Sequence, residues 1–489
     1  MGPSRFTRIS LIGLLAGVGV LALPVAALAD WPQFQGDARH DGMSDGPDAP
    51  LSVAWRNDDI DLDGPGAAQG LSSPVVADAG TIVVVAPNAV LGFSAEDGTE
   101  TLHADRDFGP SAQPAIADGP DGPIVVFTEG YGDNPPTGTA SPSEAPDAGE
   151  DEPFDSHVEA IDLRTGRPVW DEPVQLGAVV QTPVAVGDGL AYIGDEGGTV
   201  TAVSLADGTV AWSEDLASTI AGAVTLIDDL AVVGTVGPSR EPGVVVALDA
   251  SSGEEVWRTG GDTIASNLVS AAVPDEGRIL LLELGGGVVA LEERDRGLLW
   301  RRTVITPRGA AFILDVPGVF APVPADGRVF VVDVAGSVHA IDAETGAEVW
   351  DFALNDLTRS PLLVAGSQVL VASDSGTLAA LDRRSGHLVW RSPNAGDFLR
   401  GLADAGDTIV AVAGGSDASL VAFAPDPAGP LIDEPSPTTF DLGALLAGFA
   451  VGAVGTGVAA ILIARPLQRR LGPAFPAAAA APDGDEVEA

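Results

Sequence analysis

The sequence contains no cysteine and no lysine. The absence of cysteine excludes disulfides, thiol catalysis, zinc–thiolate sites and a cysteine-linked lipid anchor. Every basic residue other than histidine is therefore an arginine. The sequence has 24 of these arginines and 70 acidic residues, which give a formal net charge of −46. Such a charge repels phosphate backbones, and we therefore exclude general nucleic-acid binding.

An acidic chain without lysine is typical of proteins that work in concentrated salt. There the Debye length falls to roughly 3 Å, so the self-repulsion of the chain is screened. We therefore predict a halophilic protein, and an ordinary acidic exported protein is the alternative. In both cases the surface disfavours direct docking onto anionic lipid headgroups.

One short pattern recurs along most of the chain. Its copy at residues 338–350 reads VHAIDAETGAEVW: a small residue, an aliphatic residue and an aspartate precede a Thr-Gly turn, and the copy ends on a tryptophan. In each complete copy the small residue lies ten positions before the tryptophan. The complete copies end at Trp170, Trp212, Trp257, Trp300, Trp350 and Trp390.

The small residue of the pattern occurs at Gly92, Ala160, Ala202, Ala247, Ala290, Ala340, Ala380 and Ala422. A period near 42 residues, with turn signals within each period, predicts four short strands per repeat. The eighth copy has no tryptophan after it, whereas Trp55 ends a copy that has no beginning. A ring whose last sheet combines both chain ends has no exposed edge. We therefore predict an all-β fold, an eight-bladed β-propeller closed by strands from both ends, over residues 30–430.

The tryptophans that end the repeats are interpreted as blade-docking residues. A buried tryptophan removes about 150–250 Å² from water and contributes strongly to packing. A ring of aromatic ligand platforms is the alternative. Two repeats depart from the pattern, because Leu102 replaces the tryptophan and Arg296 replaces the turn glycine. We expect a looser seam at Leu102 and a deformed hairpin at Arg296. The docking residues are Trp55, Trp170, Trp212, Trp257, Trp300, Trp350 and Trp390.

Residues 1–29 have the features of a signal peptide. Arg5 and Arg8 precede an apolar run, and small residues at Ala27 and Ala29 fit a cleavage site. A retained membrane helix is the alternative. Further along, residues 131–156 form an insertion in the second repeat that is rich in proline, glycine and acid, which predicts a mobile loop. A partner-binding arm is the other interpretation of this insertion.

The C-terminal region predicts a membrane anchor. Residues 431–441 form a proline-rich linker, and residues 442–464 carry no charge. As a helix, this stretch would reach roughly 34 Å, enough to cross a hydrocarbon core of about 30 Å. The arginines that follow make the tail at 465–489 cytoplasmic by the positive-inside rule. We therefore predict a single-pass protein of the cell membrane with an extracellular propeller. Gly448 and Gly452 are spaced as in membrane-helix dimers and predict a homodimer.

The repeat, together with WPQFQGDARHDG at residues 31–42, resembles the pyrroloquinoline-quinone-like (PQQ-like) repeat. That family of eight-bladed propellers contains quinoprotein dehydrogenases and non-catalytic members. An export signal followed by a C-terminal helix on a very acidic chain is also similar to haloarchaeal proteins. The resemblance implies the fold, whereas fold alone does not give function.

The resemblance also bears on cofactors. Quinoprotein dehydrogenases of this family carry a vicinal Cys-Cys disulfide beside the quinone, with a calcium ion and a catalytic aspartate. This chain has no cysteine. Asp59, Asp61 and Asp63 have the spacing of the first half of a calcium loop, but Gly70 stands where the bidentate glutamate is expected. A plain acidic loop is the alternative. We predict no catalytic, cofactor or metal residues, and PQQ and calcium remain open alternatives.

Three functions are consistent with these observations. The first is a membrane-anchored extracellular propeller that acts as a non-catalytic scaffold for a membrane or cell-surface protein. The second is a quinone-dependent dehydrogenase. The third is an extracellular sensor that binds a small ligand or an ion in the central funnel.

Overall fold

The computed structural model describes residues 31–58, 60, 75–86, 89–106, 112–130, 156–238, 241–304, 321–333, 335–396, 398–414 and 418–432. Within this part of the chain the ordered elements are β-strands. Two strands precede the repeats: β1 (Met43–Ser44) and β2 (Leu51–Asn57). The strands of the first four repeats are β3 (Val75–Asp78), β4 (Thr81–Val85), β5 (Ala89–Ser94), β6 (Glu100–Asp105), β7 (Ala115–Gly119), β8 (Gly122–Glu129), β9 (His157–Asp162), β10 (Val174–Gln175), β11 (Ala185–Gly187), β12 (Leu190–Gly194), β13 (Thr199–Ser204), β14 (Val210–Asp215), β15 (Thr219–Ile220), β16 (Thr225–Ile227), β17 (Leu230–Val236), β18 (Val245–Asp249) and β19 (Glu255–Thr259).

The strands of the last four repeats are β20 (Val273–Asp275), β21 (Arg278–Glu283), β22 (Gly287–Glu292), β23 (Leu298–Thr303), β24 (Val323–Ala325), β25 (Arg328–Val332), β26 (Ser337–Asp342), β27 (Glu348–Ala353), β28 (Leu363–Ala365), β29 (Gln368–Ala372), β30 (Leu378–Asp382), β31 (Leu388–Arg391), β32 (Phe398–Asp404), β33 (Ile409–Gly414) and β34 (Ser419–Pro425).

These strands form eight sheets, and each sheet is one blade of a propeller. Blade 1 is β3–β6, blade 2 is β7–β10, blade 3 is β11–β14 and blade 4 is β16–β19, with β15 added beside β17. Blades 5, 6 and 7 are β20–β23, β24–β27 and β28–β31, and blade 8 is β32–β34 with β2. Most first strands contact the first strand of a neighbouring blade around the axis, and β32 contacts β3. The predicted eight-bladed propeller is therefore confirmed.

The ring is closed by a strand from each end of the described chain. β2 pairs antiparallel with β34, so that Leu51 lies opposite Pro425 and Trp55 lies opposite Ala422. This is the pairing expected from the unmatched tryptophan at position 55, and it is confirmed. The closure leaves blade 8 with four strands like its neighbours and covers the edge of β34, which would otherwise be free to pair with another chain.

The turn motif of the repeat is explained by hydrogen bonds within the hairpin. The Oδ1 atom of Asp342 accepts hydrogen bonds from the backbone N–H of Thr345 (2.8 Å) and from its hydroxyl (2.6 Å). Gly346 has a φ of 69°, which favours glycine, and its N–H donates to the carbonyl of Asp342. A bulge after Ala340 then places Trp350 opposite Ala340. The constant ten-residue spacing therefore reflects one hairpin geometry.

The prediction of a deformed hairpin at Arg296 is wrong. Arg296 adopts the left-handed backbone of the glycines, with a φ of 62°, and its N–H donates to the carbonyl of Glu292 at 2.8 Å as in the other turns. The guanidinium stacks over the Trp257 ring, with Cζ 4.7 Å from the ring centroid. The Arg296 side chain therefore covers the Trp257 indole, whereas in other blades the turn glycine lies against the tryptophan. The hairpin of blade 5 keeps the shape of the others.

The repeat tryptophans lie in the seams between blades. Trp300 packs against Gly346 of the next blade, and its Nε1 donates to the Ala343 carbonyl at 2.9 Å. Leu102 is buried at the equivalent position of blade 1 and contacts Gly166; whether that seam is looser stays a prediction. The other indoles that donate to a carbonyl of the following blade are Trp55, Trp170, Trp212 and Trp350.

The two faces of the propeller are defined by the strand connections. In each blade the first and second strands are joined at one end, which we call the turn face, and in most blades a short turn joins the third and fourth strands at the same end. In blade 8 the third strand, β34, and the fourth strand, β2, come from opposite ends of the described chain. The connections between the second and third strands, and between blades, lie at the opposite end, which we call the loop face. The connection from β8 to β9, which contains the predicted insertion, therefore begins and ends at the loop face.

Several predictions made from the sequence lie outside the described residues. These are the signal peptide at 1–29, the calcium candidates Asp59, Asp61 and Asp63, residues 131–155 of the insertion, residues 433–441 of the linker, the membrane helix at 442–464 with Gly448 and Gly452, and the tail at 465–489. Among the residues that the structure describes, no helix has the length and hydropathy needed to cross a membrane.

Candidate functional site

The axis of the propeller is occupied by residues 31–48, which we call the axial segment. Its first contact is an antiparallel bridge between Trp31 and Ala77 of blade 1, with N···O distances of 2.7 and 2.9 Å. The carbonyl of Pro32 accepts a hydrogen bond from the backbone N–H of Ile116 in blade 2 at 2.7 Å. The segment therefore begins by satisfying inner-strand backbone groups, as an added strand would.

Two glutamines extend these contacts. The Gln33 side chain binds both backbone groups of Val186 in blade 3: its Oε1 accepts from the Val186 N–H at 2.8 Å, and its Nε2 donates to the Val186 carbonyl at 3.2 Å. The Nε2 of Gln35 donates to the carbonyl of Ala321 beside blade 6 at 3.4 Å. Both side chains are buried, so these amides replace water at the inner strands.

His40 ties the axial segment to blade 4. Its ring is fully buried, with Nδ1 2.7 Å from the carbonyl oxygen of Phe34 and Nε2 2.8 Å from that of Val224. Burial lowers the pKa of His40, whereas the two carbonyl contacts and the nearby Asp37 and Asp41 oppose that change. A neutral imidazole has one N–H and can donate to only one of the two carbonyls.

The end of the axial segment contacts the last blades. β1 pairs in parallel with β28 of blade 7, Met43 opposite Val364 and Ser44 opposite Ala365. The Ser44 hydroxyl donates to Oδ2 of Asp404 in blade 8 at 2.6 Å. Burial raises the pKa of Asp404, and the hydrogen bond from Ser44 opposes this increase.

Phe34 links the axial segment to blade 5, because it belongs to the apolar cluster that includes inner-strand residues of that blade. The axis therefore holds a segment of the chain itself. The upstream sequence WPQFQGDARHDG, to which the sequence analysis assigned no structural role, is the part of the chain that fills it.

A buried ion-pair network lies at the loop face between blades 1 and 2. His157 Nε2 is 3.2 Å from Glu129 Oε2 and 3.5 Å from Glu159 Oε1, and these side-chain ligand atoms all lie within 4.8 Å of one another. The spacing of these three side chains is one that a bound metal ion would require. However, the Arg106 guanidinium is buried beside them, with Nε 3.4 Å from Glu129 Oε1. Because this cation already neutralises a carboxylate, we interpret the cluster as a structural ion-pair network.

Buried aspartates at the loop face hold turns. Asp195 and Asp333 follow the second strands of blades 3 and 6, and each accepts a hydrogen bond from a backbone N–H four residues later, at 2.9 and 2.8 Å respectively. Burial raises the pKa of both carboxyl groups. The sequence analysis missed them, although the shared spacing of Asp, Gly and Thr or Ser in D-x-x-G-[TS] is a usable signal.

The quinone site implied by the resemblance does not fit these residues. The chain cannot form the vicinal disulfide, because it has no cysteine. Residues of the axial segment also hydrogen-bond to inner-strand groups of the blades. We therefore derive no chemical step through a quinone. The calcium candidates Asp59, Asp61 and Asp63 lie outside the described residues, and the repeat tryptophans lie in blade seams as described above.

A protein-family model described as "Outer membrane protein assembly factor BamB" matches residues 155–321 and 288–429. The two matches together cover more than half of the chain. Similar proteins include the outer membrane protein assembly factor BamB of Yersinia pestis, 26% identical over 251 residues, which cover 45% of this chain and 60% of that protein. The BamB of Alteromonas naphthalenivorans is 28% identical over 231 residues, covering 41% of this chain and 52% of that protein. The matches thus span little more than half the length of these relatives.

Solved structures share the fold at low sequence identity. BamB from Moraxella catarrhalis has a TM-score of 0.55 at 14% identity, covering 77% of this chain and 98% of that chain. The quinohemoprotein alcohol dehydrogenase from Comamonas testosteroni has a TM-score of 0.59 at 14% identity, covering 85% and 83%. Because one fold hosts an assembly factor and a dehydrogenase, these likenesses show the fold and leave the function to the site.

Proposed function

Because this chain belongs to the family described as outer membrane protein assembly factor BamB, we propose that it is a non-catalytic, membrane-anchored scaffold for protein assembly at the cell envelope. Its partner would be a membrane or cell-surface protein. The propeller would lie outside the cell, held by the apolar stretch at residues 442–464, in a halophilic and haloarchaeal-like setting. The apolar stretch, the arginines after it and the net charge of −46 support these details.

The observation that supports a scaffold most directly is the axial segment, whose buried polar side chains bind inner-strand groups of the blades. A propeller that acts on or senses a small molecule needs a concave, solvated pocket with convergent polar groups. Here Gln33, His40 and Ser44 use their polar atoms on the blades themselves. We assign recognition of the protein partner to the outer faces.

The charged groups at the loop face support the same conclusion. Arg301 binds Glu283 with Nε 2.8 Å from Oε2, and Arg400 binds Asp374 with NH2 3.2 Å from Oδ1. Partly buried pairs of this kind hold blades and loops in place, which is a structural role.

The proposal is tested by reciprocal capture in high salt. The full chain is crosslinked in native membranes, the recovered envelope protein is identified, and that protein is then tagged to recover this chain. We expect one envelope protein to be recovered with this chain, and this chain to be recovered with that protein when it is tagged. A second preparation receives quinone, calcium, a redox dye, and alcohols or sugars, and we expect no dye reduction. Turnover in that assay, the absence of any envelope protein crosslinked to this chain, or failure of the tagged protein to recover this chain would overturn the scaffold function.

A further inference from the structure

We propose that the outer edge of blade 5 binds an aliphatic peptide segment of the protein partner. The outer edge of a blade is the side of its fourth strand that faces away from the third strand. The inference rests on the proposed scaffold function and adds the docking surface and the kind of segment that it accepts. It is drawn from blade 7, where the chain itself covers the corresponding edge.

The outer edge of blade 7 is covered by residues 426–432, which follow β34. The Ile432 N–H donates to the carbonyl of Val389 in β31 at 2.7 Å. The Ile432 side chain packs against the apolar cluster that includes Leu388, whose exposed fraction is 3%. This edge therefore accepts a peptide segment through a backbone hydrogen bond and an aliphatic side chain, the two kinds of contact that β-strand addition combines.

The fourth strand of blade 5 has the same local geometry as that of blade 7. In β31 the bulge residue is Val389, and Leu388 precedes it. In β23 the bulge residue is Leu299, and Leu298 precedes it. Leu299 therefore corresponds to Val389, and Leu298 corresponds to Leu388. The sequence places two large aliphatic residues at these positions only in blades 5 and 7.

The two edges differ in their exposure to solvent. The exposed fractions of Leu298 and Leu299 are 40% and 47%, whereas that of Leu388 is 3%. Among the described residues, no backbone N–H from outside the sheets donates to the Leu299 carbonyl. Blade 5 therefore presents to solvent the surface that blade 7 buries under its own chain. Exposed strand edges of this kind pair readily with other chains.

The blades on each side of blade 5 lack this surface. Blades 4 and 6 have exposed valines at the bulge, Val256 and Val349, but a glutamate precedes each of them. Burying that carboxylate under an aliphatic segment would carry the cost of removing a charge from water. The segment that fits blade 5 instead carries a large aliphatic residue and a backbone N–H, as at Ile432. Such contacts need no attraction between exposed charges, so concentrated salt does not weaken them by screening.

A peptide with the sequence of residues 426–432 is the probe for this site. It carries a photoreactive leucine at the position of Leu431 and is irradiated with the full-length protein in high salt. We expect an adduct on β23, because the chain's own segment already covers blade 7. A control peptide with Ile432→Asp should give about tenfold less adduct. The absence of an adduct on β23, or equal yields from the two peptides, overturns the proposal.

The matched protein variants are Leu299→Asp in blade 5 and Val349→Asp in blade 6. Both replace an exposed aliphatic bulge residue with the same acid, so both should melt close to the native protein. We expect Leu299→Asp to lose most of the adduct and Val349→Asp to keep it. Equal adduct yields from the two variants overturn the proposal. If Leu299→Asp lowers the melting temperature, the two peptides on the native protein decide the question.

The same variants test the partner in the reciprocal capture described above. We expect Leu299→Asp to lower recovery of the envelope protein about tenfold and Val349→Asp to leave it unchanged. Unchanged recovery with Leu299→Asp overturns the docking surface, while the scaffold function stands. Failure of the native chain to recover any envelope protein overturns the scaffold function, and the peptide assay then still decides whether blade 5 binds aliphatic segments.

Discussion

Trp300 and Trp257 occupy equivalent repeat positions but differ in one hydrogen bond. The Trp300 indole donates to the Ala343 carbonyl at 2.9 Å, whereas the buried Nε1 of Trp257 has no partner among the described residues. Arg296, rather than a glycine, covers the Trp257 ring. The two seams therefore test separately how much the ring and the N–H contribute to blade docking.

We expect Trp300→Phe to lower the free energy of unfolding by about 1–2 kcal/mol more than Trp257→Phe, because only the first change leaves a carbonyl without its donor. Denaturant unfolding in high salt measures both variants. Both keep an aromatic ring in the seam, so each serves as the control for the other. Equal losses would show that the indole N–H contributes nothing to docking.

The burial of His40 predicts a pH dependence of stability. Burial lowers its pKa from the ordinary value of 6.5. Between the folded and unfolded pKa values the unfolded chain binds more protons, so stability is lost as the pH falls below about 6.5. Asp37 and Asp41, which lie near the ring, oppose this effect.

The control is His40→Asn, which tolerates the positive φ of 55° at this position and does not titrate. We expect the melting temperature of the native protein to exceed that of the variant at pH 8, and the difference to narrow towards pH 5. Parallel pH profiles would mean that His40 does not couple protonation to folding. Buried carboxyl groups with raised pKa values, such as Asp404, are present in both proteins. Their effect on the pH dependence of stability therefore cancels in the comparison.

At the scale of elements, β2 and the axial segment join the start of the chain to distant blades. β2 completes blade 8, and the axial segment binds blades 3 and 4, among others, through side-chain hydrogen bonds. Together they connect the beginning of the chain to strands that follow hundreds of residues later. Stability should therefore depend on keeping this closure.

A disulfide across the closure tests the pairing. Ser52 lies opposite Ala424 in the β2–β34 register, and Ser52 is exposed. In this cysteine-free chain, Ser52→Cys with Ala424→Cys should form one disulfide and stabilise the fold by about 2–4 kcal/mol. Thermal unfolding with and without reductant measures the effect, and Ser52→Cys alone is the control. Failure to form an intramolecular disulfide would contradict the register.

At the scale of the whole molecule, the net charge of −46 dominates behaviour in solution. Carboxylates repel one another over a Debye length of about 30 Å at about 0.01 M salt but only about 3 Å at about 1 M. We expect the far-ultraviolet circular dichroism of the folded state to be lost on dilution from the higher to the lower salt concentration and to return on adding salt. A neutral osmolyte is the control for water activity. An unchanged spectrum at low salt would contradict the halophilic interpretation.

The blades and their closure were predictable because their signals are local. The turn after Asp342, the strand pattern on each side and the tryptophan ten residues after Ala340 all act within one hairpin. The unmatched Trp55 could be assigned to blade 8 because only that blade lacked an ending. The prediction of a deformed hairpin at Arg296 was wrong, because a left-handed turn accepts arginine when its guanidinium can stack on a neighbouring ring.

The sequence alone thus determined the number of blades, the closure and the acidic surface, since these follow from repetition and composition. Only the tertiary structure decided the route of the axial segment and the ion-pair network at Glu129. Gln33 and Val186, for example, are 153 residues apart in the chain. Such contacts have no local pattern, because a closed ring decides which distant side chains and backbone groups meet.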